Sequence, residues 1–354
     1  MNPLEEISIQ DFNDRLGRKA SEKKIPYRVQ IEITYGCNLR CVHCYNPTHK
    51  ILPTELKFPQ LQTILAQLAL MGCMQIGFTG GEPLLRRDAF DLFFYAKSLG
   101  FQIMIFTNAT LIDESCLDRL KELDPALLSI SVYGISRETY EAVTQVPGSF
   151  EKFMKAVHLL KDSGIPLSFK MPVMTLNKHE LELAHQWFQA QGLPFTHSVE
   201  IHPRVDGNLE PLRVRLSSED AALLRAKYER LGLDPADSCR SGTQNEETAL
   251  FTCSCGKNSF AISPYGEMNL CQTTHFPKYS LSAGDVKEGW KVLVDFVDQV
   301  KPTEHFECPT CALQPYCTQG AMDAWLEKGD FNPCLPYFKE TALKTKELVP
   351  RRAP

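Results

Sequence analysis

The segment Thr34-Tyr-Gly-Cys37-Asn-Leu-Arg-Cys41-Val-His-Cys44-Tyr45 places three thiols within eight positions. Thiolates spaced CxxxCxxC on one loop can wrap a corner of an iron–sulfur cubane and hold three of its four irons. The fourth iron then has no protein ligand, and an open coordination position separates a catalytic metal centre from a closed structural one. The competing reading is a zinc knuckle with His43 as fourth ligand, although zinc usually takes paired CxxC or HxxxH spacings.

A second concentration of thiols follows far downstream. Of the thirteen cysteines in the 354-residue chain, eight lie between residues 239 and 334: Cys239, Cys253, Cys255, Cys271, Cys308, Cys311, Cys317 and Cys334. Zinc-ribbon ligation competes with iron–sulfur ligation for these spacings. Cys73 and Cys116 stand alone and read as small buried hydrophobes. The N-terminus, with Glu5, Glu6, Asp11 and Asp14, lacks a signal-peptide pattern, and no apolar run is long enough for a membrane span. A cytoplasmic protein without membrane association is therefore expected, and in a reducing compartment metal ligation suits these cysteines better than disulfides. The net charge of −5 gives no reason to expect nucleic acid as partner, and Arg351–Arg352 reads as a solvated tail.

The elements that must position these thiols are legible as a rhythm. Val29–Thr34 alternates apolar residues and leads straight into Cys37. Strands are then predicted at Gln75–Thr79, Gln102–Thr107, Leu127–Val132, Leu167–Met174 and Thr196–Ile201. Between and after them helices are predicted at Leu61–Met71, Ala89–Leu99, Glu114–Glu122, Phe150–Ser163, Glu180–Gln191 and Ser218–Leu231. Repeated βα units imply a parallel sheet, and about six strands suit an α/β fold of the partial (β/α)6 TIM-like barrel type. In such folds ligands bind at the C-terminal strand ends. Cys37, Gly80-Gly81-Glu82-Pro83, Asn108 and Ser131 all fall there. Composition then shifts to Cys, Gly and Pro. The expected division is a lead-in over 1–27, the barrel over 28–234, a cysteine-rich iron–sulfur domain over 235–340 and a tail over 341–354. Glu32, His185, His197 and His202 show no partner pattern and read as structural or solvated.

At these motifs the chain resembles the radical S-adenosylmethionine (SAM) superfamily over most of residues 28–335. Phe78-Thr-Gly80-Gly81-Glu82-Pro83-Leu84 is similar to the family's GGEP motif, which lines the methionine end of SAM. Phe106-Thr-Asn108-Ala-Thr110 resembles its strand-three TNGT element, and Ser129-Ile-Ser131-Val-Tyr133-Gly134 the segment that contacts the ribose; Tyr45 is grouped with these cofactor-binding residues. The resemblance implies that Cys37, Cys41 and Cys44 hold a 4Fe–4S cluster whose open iron takes the amino and carboxylate groups of SAM. There are departures: Tyr133 stands where relatives often carry Asp, and Thr144 where they carry an Arg that helps hold the SAM carboxylate. Lys170 is the candidate substitute. The C-terminal cysteines resemble the SPASM extension, which carries auxiliary iron–sulfur clusters. Cys255, Gly266, Cys271, Cys308, Cys311, Cys317 and Cys334 fit its pattern, while Ala321 stands where a further cysteine is found. Cys308, Cys311, Cys317 and Cys334 would make one complete set. Cys255 and Cys271 would need Cys253 and Cys239 as partners, or would leave an iron open.

The resemblance implies an enzyme that cleaves SAM reductively to a 5′-deoxyadenosyl radical and abstracts hydrogen from a substrate, in most such relatives a peptide or protein being matured. Haem-precursor enzymes are the alternative within the family. A non-catalytic iron–sulfur electron-transfer or scaffold protein is the alternative outside it. The lead-in is too short for a winged-helix leader-binding domain, so a peptide is expected to be presented by a separate leader-binding protein or to enter the barrel mouth directly. A flavodoxin or ferredoxin-type protein is the expected electron donor.

Overall fold

The computed structural model describes residues 9–233 and 250–349. Helix α1 (Ile9–Glu22) occupies much of the expected lead-in. Six βα units follow: β1 (Arg28–Thr34) and α2 (Phe58–Leu70), β2 (Gln75–Gly80) and α3 (Ala89–Ser98), β3 (Gln102–Thr107) and α4 (Glu114–Leu123). Next come β4 (Leu127–Ser131) with α5 (Arg137–Thr144) and α6 (Ser149–Leu160), β5 (Leu167–Pro172) with α7 (Leu181–Ala190), and β6 (Phe195–Ser198) with α8 (Ser218–Arg230). The six strands pair in parallel in the order 6-5-4-3-2-1, giving the open barrel wall expected from the sequence.

Strand alternation sorts the two faces. Val29, Ile31 and Ile33 of β1 and Ile76 and Phe78 of β2 are fully buried beneath the helices, and each such side chain contributes about 1.5–3 kcal/mol on leaving water. The register puts Gln30, Glu32 and Thr34 on the opposite, lumen face beside Gly77 and Thr79, and Ser131 beside Lys170.

The sheet does not stop at β1. Strand β7 (Ser259–Ile262) pairs parallel to β1, and the antiparallel strands β8 (Glu267–Cys271) and β9 (Thr274–Ser280) complete a nine-stranded sheet. The cysteine-rich part is thus built onto the barrel's own edge. Helix α9 (Val286–Gln299) packs on β9 and α2, with Val286 N donating to Gln67 Oε1 at 2.9 Å and Trp290 Nε1 to Lys24 O at 2.7 Å. Helix α10 (Ala321–Lys328) is tied back by the Arg215–Glu327 ion pair at 2.6 Å, and α11 (Pro336–Leu348) lies against α8. The expected boundary at residues 234/235 and Cys239 lie outside the described residues, and α11 runs across the expected tail boundary at 340/341.

Candidate active site

The loop carrying Cys37, Cys41 and Cys44 is fixed by main-chain bonds to its neighbours. Gly81 N donates to Thr34 O at 2.7 Å and Glu82 N to Gly36 O at 2.8 Å, stitching the end of β2 to the loop after β1. Arg40 N and Val42 N donate to the carbonyls of Thr144 and Val143 at 2.9 and 3.0 Å, binding the middle of the loop to the end of α5. The two glycines are needed for this approach. A Cβ on Gly80, whose φ is +136°, would lie 2.1 Å from Thr34 O, and one on Gly81 would lie 2.2 Å from Gly36 O. The cysteine loop's own backbone passes where a side chain would otherwise stand.

Glu82 is fully buried, and its carboxylate accepts from Leu84 N at 3.1 Å, Thr107 Oγ1 at 2.8 Å and Asn108 N at 2.8 Å. It clamps β2 to β3, and burial pushes its pKa up to about 7 against these hydrogen bonds. Pro83 begins the short turn that Glu82 caps. Asn108 extends the same seam: its Nδ2 reaches Asn38 Oδ1 at 3.0 Å and Cys37 Sγ at 3.9 Å, while its Oδ1 accepts from Thr110. Ser131 ends β4, half-buried, and the Tyr133 phenol stands near both its hydroxyl and the Cys41 thiol. Tyr133 is therefore a neighbour of the cysteine loop that the sequence marked only as a departure from a motif.

The three thiols are close enough for mutual electrostatic effects. Burial pushes Cys37 up to about 11 and Cys44 up to about 12, and raises Cys41, to which the neighbouring Cys44 and Cys37 add. Such a crowded set of half-buried thiols gives up its protons readily only to a cationic centre. His43 is buried and pushed down to about 4, a neutral imidazole.

Sequence reasoning passed over Glu32. It is 1% exposed in the lumen wall, and Tyr45 Oη donates to its Oε1 and Tyr35 Oη to its Oε2, each at 3.3 Å. Tyr35 Oη also lies 3.2 Å from His275 Nε2 of β9. Burial raises Glu32 to about 8, and it senses the charge of Cys271 across the lumen. The signal was present in the alternation: with Val29, Ile31 and Ile33 turned outward, Glu32 had to face the interior.

The C-terminal cysteines form two groups. Cys255 shares hydrogen bonds with Cys253 and Cys271; these lower Cys253, take Cys271 down to about 6 and raise Cys255. Cys308 is pushed up to about 11 by burial and by the charges of Cys317, Cys334 and Cys311. Among the described residues no three His, Cys, Asp or Glu side chains converge on a single metal ion; a polynuclear cluster spreads its ligands over separate irons. Buried Cys73 and half-buried Cys116 remain apart from both groups.

Comparison with known proteins follows this geometry. Residues 31–188 match the family described as the radical SAM superfamily. The chain carries a radical SAM domain. An AdoMet-dependent heme synthase of Methanosarcina barkeri is 29% identical over 157 residues, 44% of this chain and 45% of that protein. The chain spans under half the length of the first curated relatives it matches. A mycofactocin maturase, MftC of Mycobacterium tuberculosis, is 25% identical and covers more, 90% of this chain and 85% of the relative. The structure of Streptococcus suis SuiB bound to its precursor peptide SuiA shares the fold, with a TM-score of 0.69 at 14% identity over 96% of this chain and 84% of that one. That likeness of fold extends past residues 31–188 into the cysteine-rich part. Radical SAM proteins use a 4Fe–4S cluster and SAM. The crowded thiol loop at the end of β1 fits such a cluster. No described helix is long and apolar enough to cross a membrane.

Proposed function

We propose that this chain is a radical SAM enzyme that modifies a peptide or protein side chain during maturation. The observation that carries the reading is the Cys37–Cys41–Cys44 loop, held by backbone bonds at the strand ends where Gly80, Gly81, Asn108 and Ser131 also meet. In this reading the three thiolates hold the cluster, and Gly80, Gly81, Pro83, Asn108, Ser131 and Tyr45 line the SAM site. A cluster so held would supply one electron for reductive cleavage of the SAM sulfonium bond, and the 5′-deoxyadenosyl radical so formed would take hydrogen from the substrate. Glu82 joins the β2 and β3 ends and is assigned to the SAM site with its motif neighbours, and Lys170, on the lumen face beside Ser131, is the candidate partner for the SAM carboxylate. Glu32, neutral below about pH 8, offers the lumen a proton or a hydrogen bond.

Peptide substrates are favoured because the relative matched along nearly the whole chain is named a maturase, and the structure sharing the fold holds a precursor peptide. A haem-precursor substrate is the second reading, resting on the heme synthase match to less than half of the chain. Cys308, Cys311, Cys317 and Cys334 are assigned to one auxiliary cluster, and Cys253, Cys255 and Cys271 to another, with Cys239 a further candidate. The division into a barrel over 28–234, a module over 235–340 and a tail is retained as part of this reading, with a flavodoxin or ferredoxin-type donor and a separate leader-binding protein as partners.

Anaerobically reconstituted protein with dithionite and SAM tests it. 5′-Deoxyadenosine is expected, and Cys41→Ala should abolish it while keeping the auxiliary iron. No nucleoside with either peptide or porphyrin present would overturn the enzyme reading, and stimulation by porphyrin alone would move the substrate class to haem precursors.

A further inference from the structure

In the reading above, each SAM cleaved consumes one electron, which must cross the protein surface to reach the thiol loop. The surface beside that loop is built from two stretches of chain. Arg40 is exposed, and its Nη1 donates to Cys37 O at 2.6 Å and to Leu39 O at 2.7 Å, so a cationic head sits on the main chain of the first cysteine. The chain beyond the thiols then returns to the same place. Cys37 N donates to His49 O at 3.3 Å, and Ile51 packs on Gly36 closely enough to leave no room for a Cβ there. Lys50, Ile51, Leu52, Pro53 and Thr54 are all exposed, Ile51 by 59% and Leu52 by 36%. Exposed Lys57 reaches back over this segment, its Nζ donating to Pro53 O at 3.1 Å.

Exposed aliphatic side chains alone need no explanation. Here they lie among three cations, Arg40, Lys50 and Lys57, that form no ion pair with a described residue. Two carboxylates of the neighbourhood are occupied elsewhere. Glu55 is buried and accepts from Tyr35 N at 2.9 Å and Thr34 Oγ1 at 3.2 Å, and Asp88 pairs with Arg86 at 2.6 Å. The patch is thus locally positive on a chain whose net charge is −5. An apolar centre within a charged rim is the build of a protein interface, and opposite charge on the partner steers the encounter.

We propose that Arg40, Lys50, Ile51, Leu52 and Lys57 form the docking surface for an acidic protein that carries a single electron to the cluster at Cys37. The inference rests on the radical SAM reading above. The partner is oxidised by one electron and the cluster reduced by one, with no atom or proton exchanged. Carboxylates around the partner's redox centre meet the three cations, and the Arg40 contact with Cys37 O brings that centre against the cysteine loop.

The test uses the anaerobically reconstituted full chain, with dye-labelled oxidised flavodoxin as the probe. Fluorescence anisotropy should show binding that weakens as salt is raised. The double variant Lys50→Glu, Lys57→Glu should weaken it on the order of tenfold at low salt. Leu52→Ser should weaken it less and keep the salt dependence, which serves if the double variant does not fold. Reduced by dithionite, both variants should form 5′-deoxyadenosine at the parental rate and give the parental electron paramagnetic resonance (EPR) spectrum; with reduced flavodoxin the rate should fall in step with binding. No salt-dependent binding by the parent, parental binding in both variants, or equal loss of rate with the two reductants would each overturn the proposal. Self-association of the parent that Leu52→Ser abolishes would overturn it too and give the patch to a second copy of the chain. A parent inactive even with dithionite would refute the enzyme reading beneath, a result that the binding measurement does not share.

Discussion

The two cysteine regions are built by different means. The N-terminal three sit on one loop whose backbone is bonded to β2 and α5 at four points, so the site is largely shaped before any metal arrives. The C-terminal seven come from separated segments, and three of them, Cys308, Cys311 and Cys317, lie in short turns around Cys308–Thr310 and Gln314–Tyr316 with few regular hydrogen bonds. The difference matters for chemistry. A site with an open iron has no fourth ligand to steady it, so the protein frame must do so; a fully ligated cluster can organise its own surroundings, and its binding energy becomes folding energy.

The largest consequence is expected on removing iron. Chelated protein should keep the parallel barrel but become readily cleaved by protease between about residues 300 and 335, mapped by mass spectrometry of fragments. Equal resistance in both regions, or equal loss, would erase the contrast.

Next in size is the pH response of the preformed side. Glu32 is raised from its ordinary 4.5 to about 8 in the folded chain. Its contribution to stability is therefore complete below the unfolded value, near 4.5, and is lost as pH rises through 8. The full span corresponds to roughly 5 kcal/mol. Denaturant unfolding of Glu32→Gln should show a flatter profile than the parent between pH 5 and 9 (apoprotein suffices, since no metal enters this effect). An unchanged slope would mean that Glu32 is ionised in the fold.

Gly81→Ala should cost about 3 kcal/mol, at the upper end for forced overpacking, because the new Cβ meets the carbonyls of Gly36 and Tyr35 at 2.2 and 2.6 Å. Thermal unfolding with an iron count should show the N-terminal cluster lost first and the auxiliary iron kept. Smallest is Asn108→Ala, which removes the link from β3 to Asn38 and Cys37. About 1–2 kcal/mol of stability should go, and the EPR line shape of the N-terminal cluster should change while auxiliary signals stay fixed.

Much of the barrel was legible because its strands obey simple periodicity: Val29, Ile31 and Ile33 on one face, with Cys37 straight after. The order of motifs along the rim followed from placing ligands at strand ends. Other features needed the third dimension. Strands β7 to β9 are interrupted by Ser, Asn and Cys, and the four-residue β7 is held between β1 and β8, which no local pattern announces. Helix α1 was hidden by polar residues. The close passage of the cysteine loop's backbone over Gly80 and Gly81 joins segments more than forty positions apart, which no local pattern shows. His202 read as structural or solvated for want of a partner pattern, and the carboxylate it meets at 3.1 Å, that of Asp323, lies 121 positions away along the chain.

The central claim is an iron left open by Cys37, Cys41 and Cys44. EPR of the dithionite-reduced protein before and after adding SAM tests it most directly. A SAM-dependent change of one cluster's spectrum is predicted in the parent chain, and none in the variant lacking those three cysteines. A parent spectrum indifferent to SAM, from protein whose N-terminal cluster is demonstrably filled, would contradict the account.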